Sequence, residues 1–230
     1  MTDIINKQTL SEQIYQILRQ DILTQNIESG QKLTLQSLKD RFEVSHTPIR
    51  DALTRLVEDD LVIYYSNVGI KVVQPTANDA REIFQLSGDL DCLALRYCLQ
   101  GSHLNELTNE MSTIIDHSKQ YLQEQNFDQW REFSDRFHLV FYQFADNSRL
   151  EQAAQKLRAQ ITLLSNLYQI ENKYSDKIQE DHDSIYYAIR DRNHEGALAL
   201  LREHLDHDLS YAVEAITQYE AQRTNRSKNN

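Results

Sequence analysis

The sequence predicts a mainly α-helical protein in two parts: an N-terminal helix-turn-helix with a small β-hairpin, then a larger all-α domain. Three observations predict it. Apolar residues recur at helical spacing along most of the 230 residues, and only five glycines and two prolines interrupt them. One short region, Leu61 to Val73, changes to β-branched and aromatic residues around Ser66-Asn67-Val68-Gly69, which is the pattern of a hairpin. Gln74-Pro75-Thr76 then breaks the pattern, because proline cannot continue a strand or helix ladder, and helical spacing resumes beyond it. With 40% apolar residues, each part can bury a core.

The first helix is expected from Thr9, where Thr9 and Glu12 make a capping-box pattern, to about Gln25. Leu10, Ile14, Ile17, Leu18 and Ile22 form its core stripe. Ile27 to Leu33 reads as a turn containing Gly30. Within Thr34 to Leu56, Leu35, Leu38 and Phe42 give one short helix an apolar face, and Ile49, Ala52, Leu53 and Leu56 give a second helix another. Pro48 suits the first turn of the second helix, where its missing N–H has no partner to lose, with Ser45 or Thr47 as the capping oxygen. Away from the apolar face stand Thr47, Arg50 and Thr54, with His46 one turn before Arg50. Such a pair is either an ordinary helix packing with solvated faces or a helix-turn-helix whose second helix enters a DNA major groove.

Beyond the break, Thr76 can cap the next helix, and helices are expected at about 77–99, 103–125, 127–145, 149–170, 175–192 and 195–222. Ser148 and Glu151 mark one start as a capping box, and Asn193 to Gly196 marks a turn. The domains are therefore 1–75, 76–222 and a polar, disordered tail at 223–230. No window approaches the roughly 18 uninterrupted apolar residues of a membrane span, and the start MTDIINKQ has no hydrophobic signal region, so a cytoplasmic protein is expected. Cys92 and Cys98 fit neither a metal-type CxxC nor a disulfide framework and are expected as buried thiols. The net charge is −11, and residues 1–75 hold eight Lys/Arg against ten Asp/Glu. DNA binding would thus rest on a local patch of Lys39, Arg41, Arg50, Arg55 and Lys71 and not on a general cationic field.

The run Val44-Ser45-His46-Thr47-Pro48-Ile49-Arg50-Asp51-Ala52-Leu53-Thr54-Arg55-Leu56 is similar to the signature V-S-R-T-P-V-R-E-A-L-x-x-L of GntR-family winged-helix transcriptional regulators. The resemblance implies that the hairpin is the wing, with Gly69 at the glycine that lets the backbone approach DNA. Ser45, His46, Thr47 and Arg50 would contact bases and phosphates, with Gln36 and Gly69 as auxiliary contacts. His46 departs from the family's usual Arg and lacks the bidentate fork that reads guanine. The larger helical domain resembles the FCD, or FadR-like, class through Phe137-His138, His182 with Ile185, Ala188 and Ile189, and Ala197 with His204.

His138, His182 and His204 lie on apolar stripes and should point inward, whereas His103, His117, His194 and His207 should lie at the surface. An inward histidine is either a hydrogen-bonded core residue or a ligand, and neutral imidazoles converging from separate helices suit a divalent transition metal such as zinc or nickel. The FCD resemblance implies such a site, completed by an Asp four residues before the first His. Here that position is Ser134, and Asp135 is displaced by about 100° around the helix. A three-histidine site completed by water or an effector carboxylate, and no metal at all, both stay open. A second departure is Ser87, where FCD proteins often carry an Arg suited to a small organic acid. The expected function is a homodimeric, ligand-responsive regulator, a repressor in direction, of a palindromic operator. The alternatives are a metal-dependent hydrolase using the three histidines, for which no H-E-x-x-H or placed base exists, and a helical interaction module that does not bind DNA.

Overall fold

Thr9 caps the first helix, α1 (Leu10–Leu23), through its hydroxyl, which accepts from the Glu12 N–H at 3.2 Å. The Glu12 carboxylate does not close the expected capping box; it pairs with Arg55. Ile14, Leu18 and Ile22 are buried as expected, joined by Tyr15, but Leu10 and Ile17 are exposed. The buried stripe is narrower than the sequence suggested, because α1 packs chiefly on α3 (His46–Glu58). The computed structural model of the protein describes residues 8–66, 68–168 and 170–228. They divide into two units, Met1–Gln74 and Pro75–Asn230.

In the first unit, α2 (Leu35–Phe42) is capped by Thr34, whose hydroxyl accepts from the Ser37 N–H at 3.1 Å. Glu43 turns the chain in the left-handed region, φ 52°, and α3 follows. Ile49, Ala52, Leu53 and Leu56 are all buried. Ser45 stands at the cap position of α3, yet its hydroxyl makes no capping bond, so neither hydroxyl proposed for that role is seen to fill it. Strands β2 (Val62–Tyr65) and β3 (Gly69–Val72) form the hairpin, with Tyr65 opposite Gly69. The segment read as a pure turn contributes a third strand: β1 (Lys32–Leu33) pairs antiparallel with β3, Lys32 opposite Lys71, giving the order β1-β3-β2. The turn residue Asn67 lies outside the described residues.

The described elements of the second unit are all helices: α4 (Ala77–Gln100), α5 (Leu104–Gln123), α6 (Phe127–Phe144), α7 (Ser148–Tyr168), α8 (Ile170–Arg190) and α9 (His194–Lys228). Thr76 and Asp79 form a full capping box on α4. Asn147, and not Ser148, caps α7, its Oδ1 accepting from the Leu150 N–H at 3.1 Å. Asn193 does the same for α9 with the Gly196 N–H at 3.0 Å. The α7–α8 junction falls near Gln169, itself outside the described residues, so α8 starts about five residues before the expected 175. Helix α9 runs on to Lys228, and residues 223–228 are helical where a disordered tail was expected. No glycine or proline stops the run, and Ala221, Gln222 and Arg223 are good helix formers. Helix α4 packs on α6, α7 and α9, α5 on α6 and α8, and α8 on α9. The main core combines Leu95, Met111, Phe137, Phe141, Ile185 and Leu201. No helix among the described residues is long and apolar enough to cross a membrane.

Candidate nucleic-acid interface and metal centre

The two apolar faces of α2 and α3 leave a polar surface at the N-terminal end of α3. Ser45, His46, Thr47, Arg50 and Thr54 are all exposed there, as is Gln36 on α2. Arg50 has no ion-pair partner among the described residues, whereas two cations of the expected patch are engaged. Arg41 pairs with Asp21 at 2.5 Å, and Arg55 pairs with Glu12 and lies 3.8 Å over the Tyr15 ring. Those two contacts tie α1 to the helix pair and engage two cations of the expected patch. Lys71 reaches toward the Tyr65 ring, 5.9 Å from its centroid.

An open groove of about 730 Å³ runs between this face and the sheet, lined among others by Lys32, Thr34, Arg50, Thr54, Tyr64 and Gly69. Lys32 and Tyr64 were not singled out from the sequence. Tyr64 is 68% exposed, and only the strand alternation could have marked it as outward. Gly69 has φ +101°, a conformation that side-chain-bearing residues rarely adopt, and this is the physical reason for glycine at the base of the hairpin turn. Gln36 Nε2 donates to Asp40 at 2.7 Å, and the Thr54 hydroxyl donates to the Arg50 carbonyl at 3.0 Å.

In the helical unit, α6, α8 and α9 each bring one histidine to a common point. His138, His182 and His204 are all buried, and His182 stacks flat on Phe137 with ring centroids 3.9 Å apart. His204 Nε2 lies 3.1 Å from His182 Nε2 and 3.3 Å from His138 Nε2, so three ring nitrogens face one another. Burial first, then neighbouring cationic groups, hold His138 and His182 well below the usual histidine range, so both are neutral. His138 Nδ1 donates to Asp91 Oδ2 at 2.9 Å, which leaves its Nε2 as a bare lone pair. Three buried imidazoles with ring nitrogens this close could hold a metal ion.

The supporting residues were the part that sequence reasoning missed. Asp91, fully buried on α4, also accepts from the Tyr142 hydroxyl and from the Arg158 guanidinium of α7. Asp181 backs the other side. It accepts from Lys177 at 2.8 Å and from His207 Nδ1 at 3.2 Å, and lies 3.6 Å from His204 Nδ1. His207 is thereby drawn half into the site, unlike exposed His103 and His117; His194 is half-buried too. Ser134 is buried one turn before His138, and Asp135 accepts from the Thr162 hydroxyl at 3.0 Å. A cavity of about 20 Å³ adjoins the cluster, lined by Ser134, Asp135, His138, Arg158 and Asp208 among others. That volume holds about one water-sized occupant and no organic acid. Three buried polar atoms at the site have no hydrogen-bond partner among the described residues: Arg158 Nε, His204 Nδ1 and Asp208 Oδ1.

Comparison with known proteins identifies the family of both units. Residues 10–72 match the bacterial regulatory proteins of the gntR family, and residues 82–207 match the FCD domain. The chain is 26% identical to the HTH-type transcriptional regulator BphR of Paraburkholderia xenovorans (strain LB400) over 90% of this chain and 86% of that one. It is 24% identical to the HTH-type transcriptional repressor RspR of Escherichia coli (strain K12) over 94% of each, and 23% identical to the gluconate operon transcriptional repressor of Bacillus subtilis (strain 168) over 86% and 83%. In fold it is similar to Escherichia coli McbR/YncC, with a TM-score of 0.75 at 17% identity, covering 93% of this chain and all of that one. A GntR regulator from Rhodococcus sp. RHA1 gives 0.77 at 19% identity, covering 89% and 98%. The winged helix-turn-helix, the helical bundle and the two family matches together place this chain in the GntR family of transcriptional regulators, in the branch carrying an FCD domain, and not among enzymes.

Proposed function

We propose that the protein represses transcription in the cytoplasm by binding a palindromic operator as a homodimer, and that a small organic acid held in the helical unit controls this binding. The exposed N-terminal face of α3 beside the Gly69 wing carries the reading. Ser45, His46, Thr47 and Arg50 are free to meet base edges and phosphates, Gln36 and Gly69 add contacts, and the apolar side of the same helix is fully committed to the core. Two such helices about one DNA turn apart would match symmetric half-sites. The relatives named as repressors support the direction of control.

His138, His182 and His204 fit a divalent ion of the zinc or nickel type: they are buried, nitrogen-donating and backed by carboxylates at Asp91 and Asp181. Bound there, the ion would supply a fixed positive charge and a Lewis-acid position for an effector carboxylate. Asp91 orients His138 by holding its Nδ1–H, and Arg158 keeps Asp91 in place. Because the adjoining cavity admits about one water-sized occupant, effector entry must be coupled to movement of the surrounding helices, which is how occupancy would bias the dimer between DNA-competent and incompetent states.

Gel-shift titration of the full chain on the region upstream of its own gene, at two salt concentrations, tests the DNA reading. Arg50→Ala should weaken the specific complex by about 5–150-fold, the effect of losing roughly 1–3 kcal/mol of base contact, without altering thermal unfolding. Equal binding of variant and wild type, or no salt-sensitive specific complex, would refute it.

A further inference from the structure

We infer that Asp208 is the fourth, carboxylate ligand of the metal centre, replacing the acid that is missing at Ser134. This rests on the metal reading above. Asp208 stands one turn after His204 on α9, and residues four apart share a helix face. Its Oδ2 lies 3.3 Å from His204 Nε2, the atom already 3.1 Å from His182 Nε2 and 3.3 Å from His138 Nε2. Ligand atoms bound at zinc distances on a tetrahedron are about 3.3 Å apart along each edge. Three edges meeting at His204 Nε2 therefore have metal-site length, and each ends on a donor atom. The three histidine nitrogens lie within 4.8 Å of one another, and Asp208 meets this group at His204 Nε2.

No other carboxylate in the site competes for the place. Asp91 is committed to His138, Tyr142 and Arg158, Asp135 to Thr162, and Asp181 to Lys177 and His207. Asp208 alone among these has a buried oxygen, Oδ1, with no partner among the described residues; it lines the cavity beside Ser134 and His138, as Asp135 also does. The acid has thus moved from α6 to α9 while keeping the one-turn spacing to a histidine, in the order His-x-x-x-Asp instead of Asp-x-x-x-His. Three neutral imidazoles and one carboxylate leave a divalent centre with net positive charge, which suits an incoming anion as a further ligand.

The test loads metal-free full-length protein with zinc and with cobalt(II) and compares wild type, Asp208→Asn, Asp135→Asn, the double variant Ser134→Asp/Asp208→Asn, and His182→Ala/His204→Ala. Circular dichroism and thermal unfolding of the apo forms confirm folding. Asp208→Asn should lower zinc affinity by at least about 100-fold, beyond the 10–100-fold typical of residues that merely orient a ligand, and should change the cobalt absorption bands. Asp135→Asn should do neither, and Ser134→Asp should restore affinity in the double variant. Wild-type affinity and cobalt bands in Asp208→Asn would overturn the assignment while leaving a three-histidine site; if that variant did not fold, Asp208→Ser is read in the same way. Absence of zinc binding in wild type, or equal binding by His182→Ala/His204→Ala, would overturn the metal reading itself.

Discussion

Replacing Asp91 by Asn should cost more stability than any other isosteric change in the protein's second unit. Asp91 is fully buried and receives three donors: the His138 Nδ1–H, the Tyr142 hydroxyl and the Arg158 guanidinium. An Asn side chain keeps the shape but offers one oxygen and an NH2 group, so the Tyr142 hydroxyl must turn from donor to acceptor. It also leaves the Arg158 guanidinium, itself buried, without its full counter-charge. Breaking a buried ion pair on one side costs about 3–5 kcal/mol. Asp135 and Asp208 also act on Arg158 and soften the loss, which places the expectation near the lower end, about 3 kcal/mol. For a helical unit of this size that is a fall of roughly 6–12 °C in Tm. The assay is urea and thermal unfolding of the metal-free full chain followed by circular dichroism. Removing both charges together, Asp91→Leu with Arg158→Met, should recover part of the loss, because the guanidinium is no longer buried without its main partner although Asp135 and Asp208 lose the cation beside them. A loss below about 1 kcal/mol for Asp91→Asn, or a double variant as unstable as the single one, would refute the reasoning.

Three further outcomes rest on single residues. Gly69→Ala should destabilise the first unit by about 1–2 kcal/mol through backbone strain alone, since φ is +101° and a Cβ would meet Lys32 Cε at an ordinary 3.6 Å; an unchanged urea midpoint would contradict this. Cys98 donates its S–H to the Phe141 carbonyl at 3.0 Å, and burial pushes its thiol up to about 12 and raises Cys92 as well. Both should resist a disulfide exchange reagent at pH 8 in the native protein and react at once after denaturation; rapid native labelling would show that these thiols are open. Trp130, the single tryptophan, is fully buried, with Nε1 donating to Gln179 Oε1 at 3.1 Å. Its emission should be blue-shifted and shielded from iodide, and Gln179→Leu should cost about 1–3 kcal/mol by leaving that N–H unpaired; red-shifted, quenchable emission would contradict the packing.

The DNA-reading half of the molecule was legible because local rules govern it. The apolar faces of α2 and α3, Pro48 in the first turn and the glycine of the hairpin each act within a few residues. Strand β1 was not legible, since Lys32-Leu33 is too short to show alternation and becomes a strand only by meeting Lys71 and Ile70. The pairing of Arg41 and Arg55 was hidden for the same reason: their partners Asp21 and Glu12 lie 20 and 43 residues away. In the helical unit the start of α8 carried no glycine or proline to mark it. The three histidines stood out because polar rings on apolar stripes are rare. Asp91, Arg158 and Asp208 did not, because a charged residue on an amphipathic helix is usually solvated, and Ser87 and Ser134 drew attention only by departing from a pattern.

By itself, then, the sequence determined what depends on neighbours along the chain: helix content, the helix-turn-helix, the wing glycine, the break at Pro75 and the inward direction of His138, His182 and His204. Only the tertiary structure decided which groups meet. It joined Asp91 of α4 and Arg158 of α7 behind a histidine of α6, and it set the Asp208 carboxylate of α9 3.3 Å from His204 Nε2. Side-chain periodicity fixes the face a residue occupies, whereas the partner on that face depends on how separate helices cross, and no short-range pattern encodes that crossing.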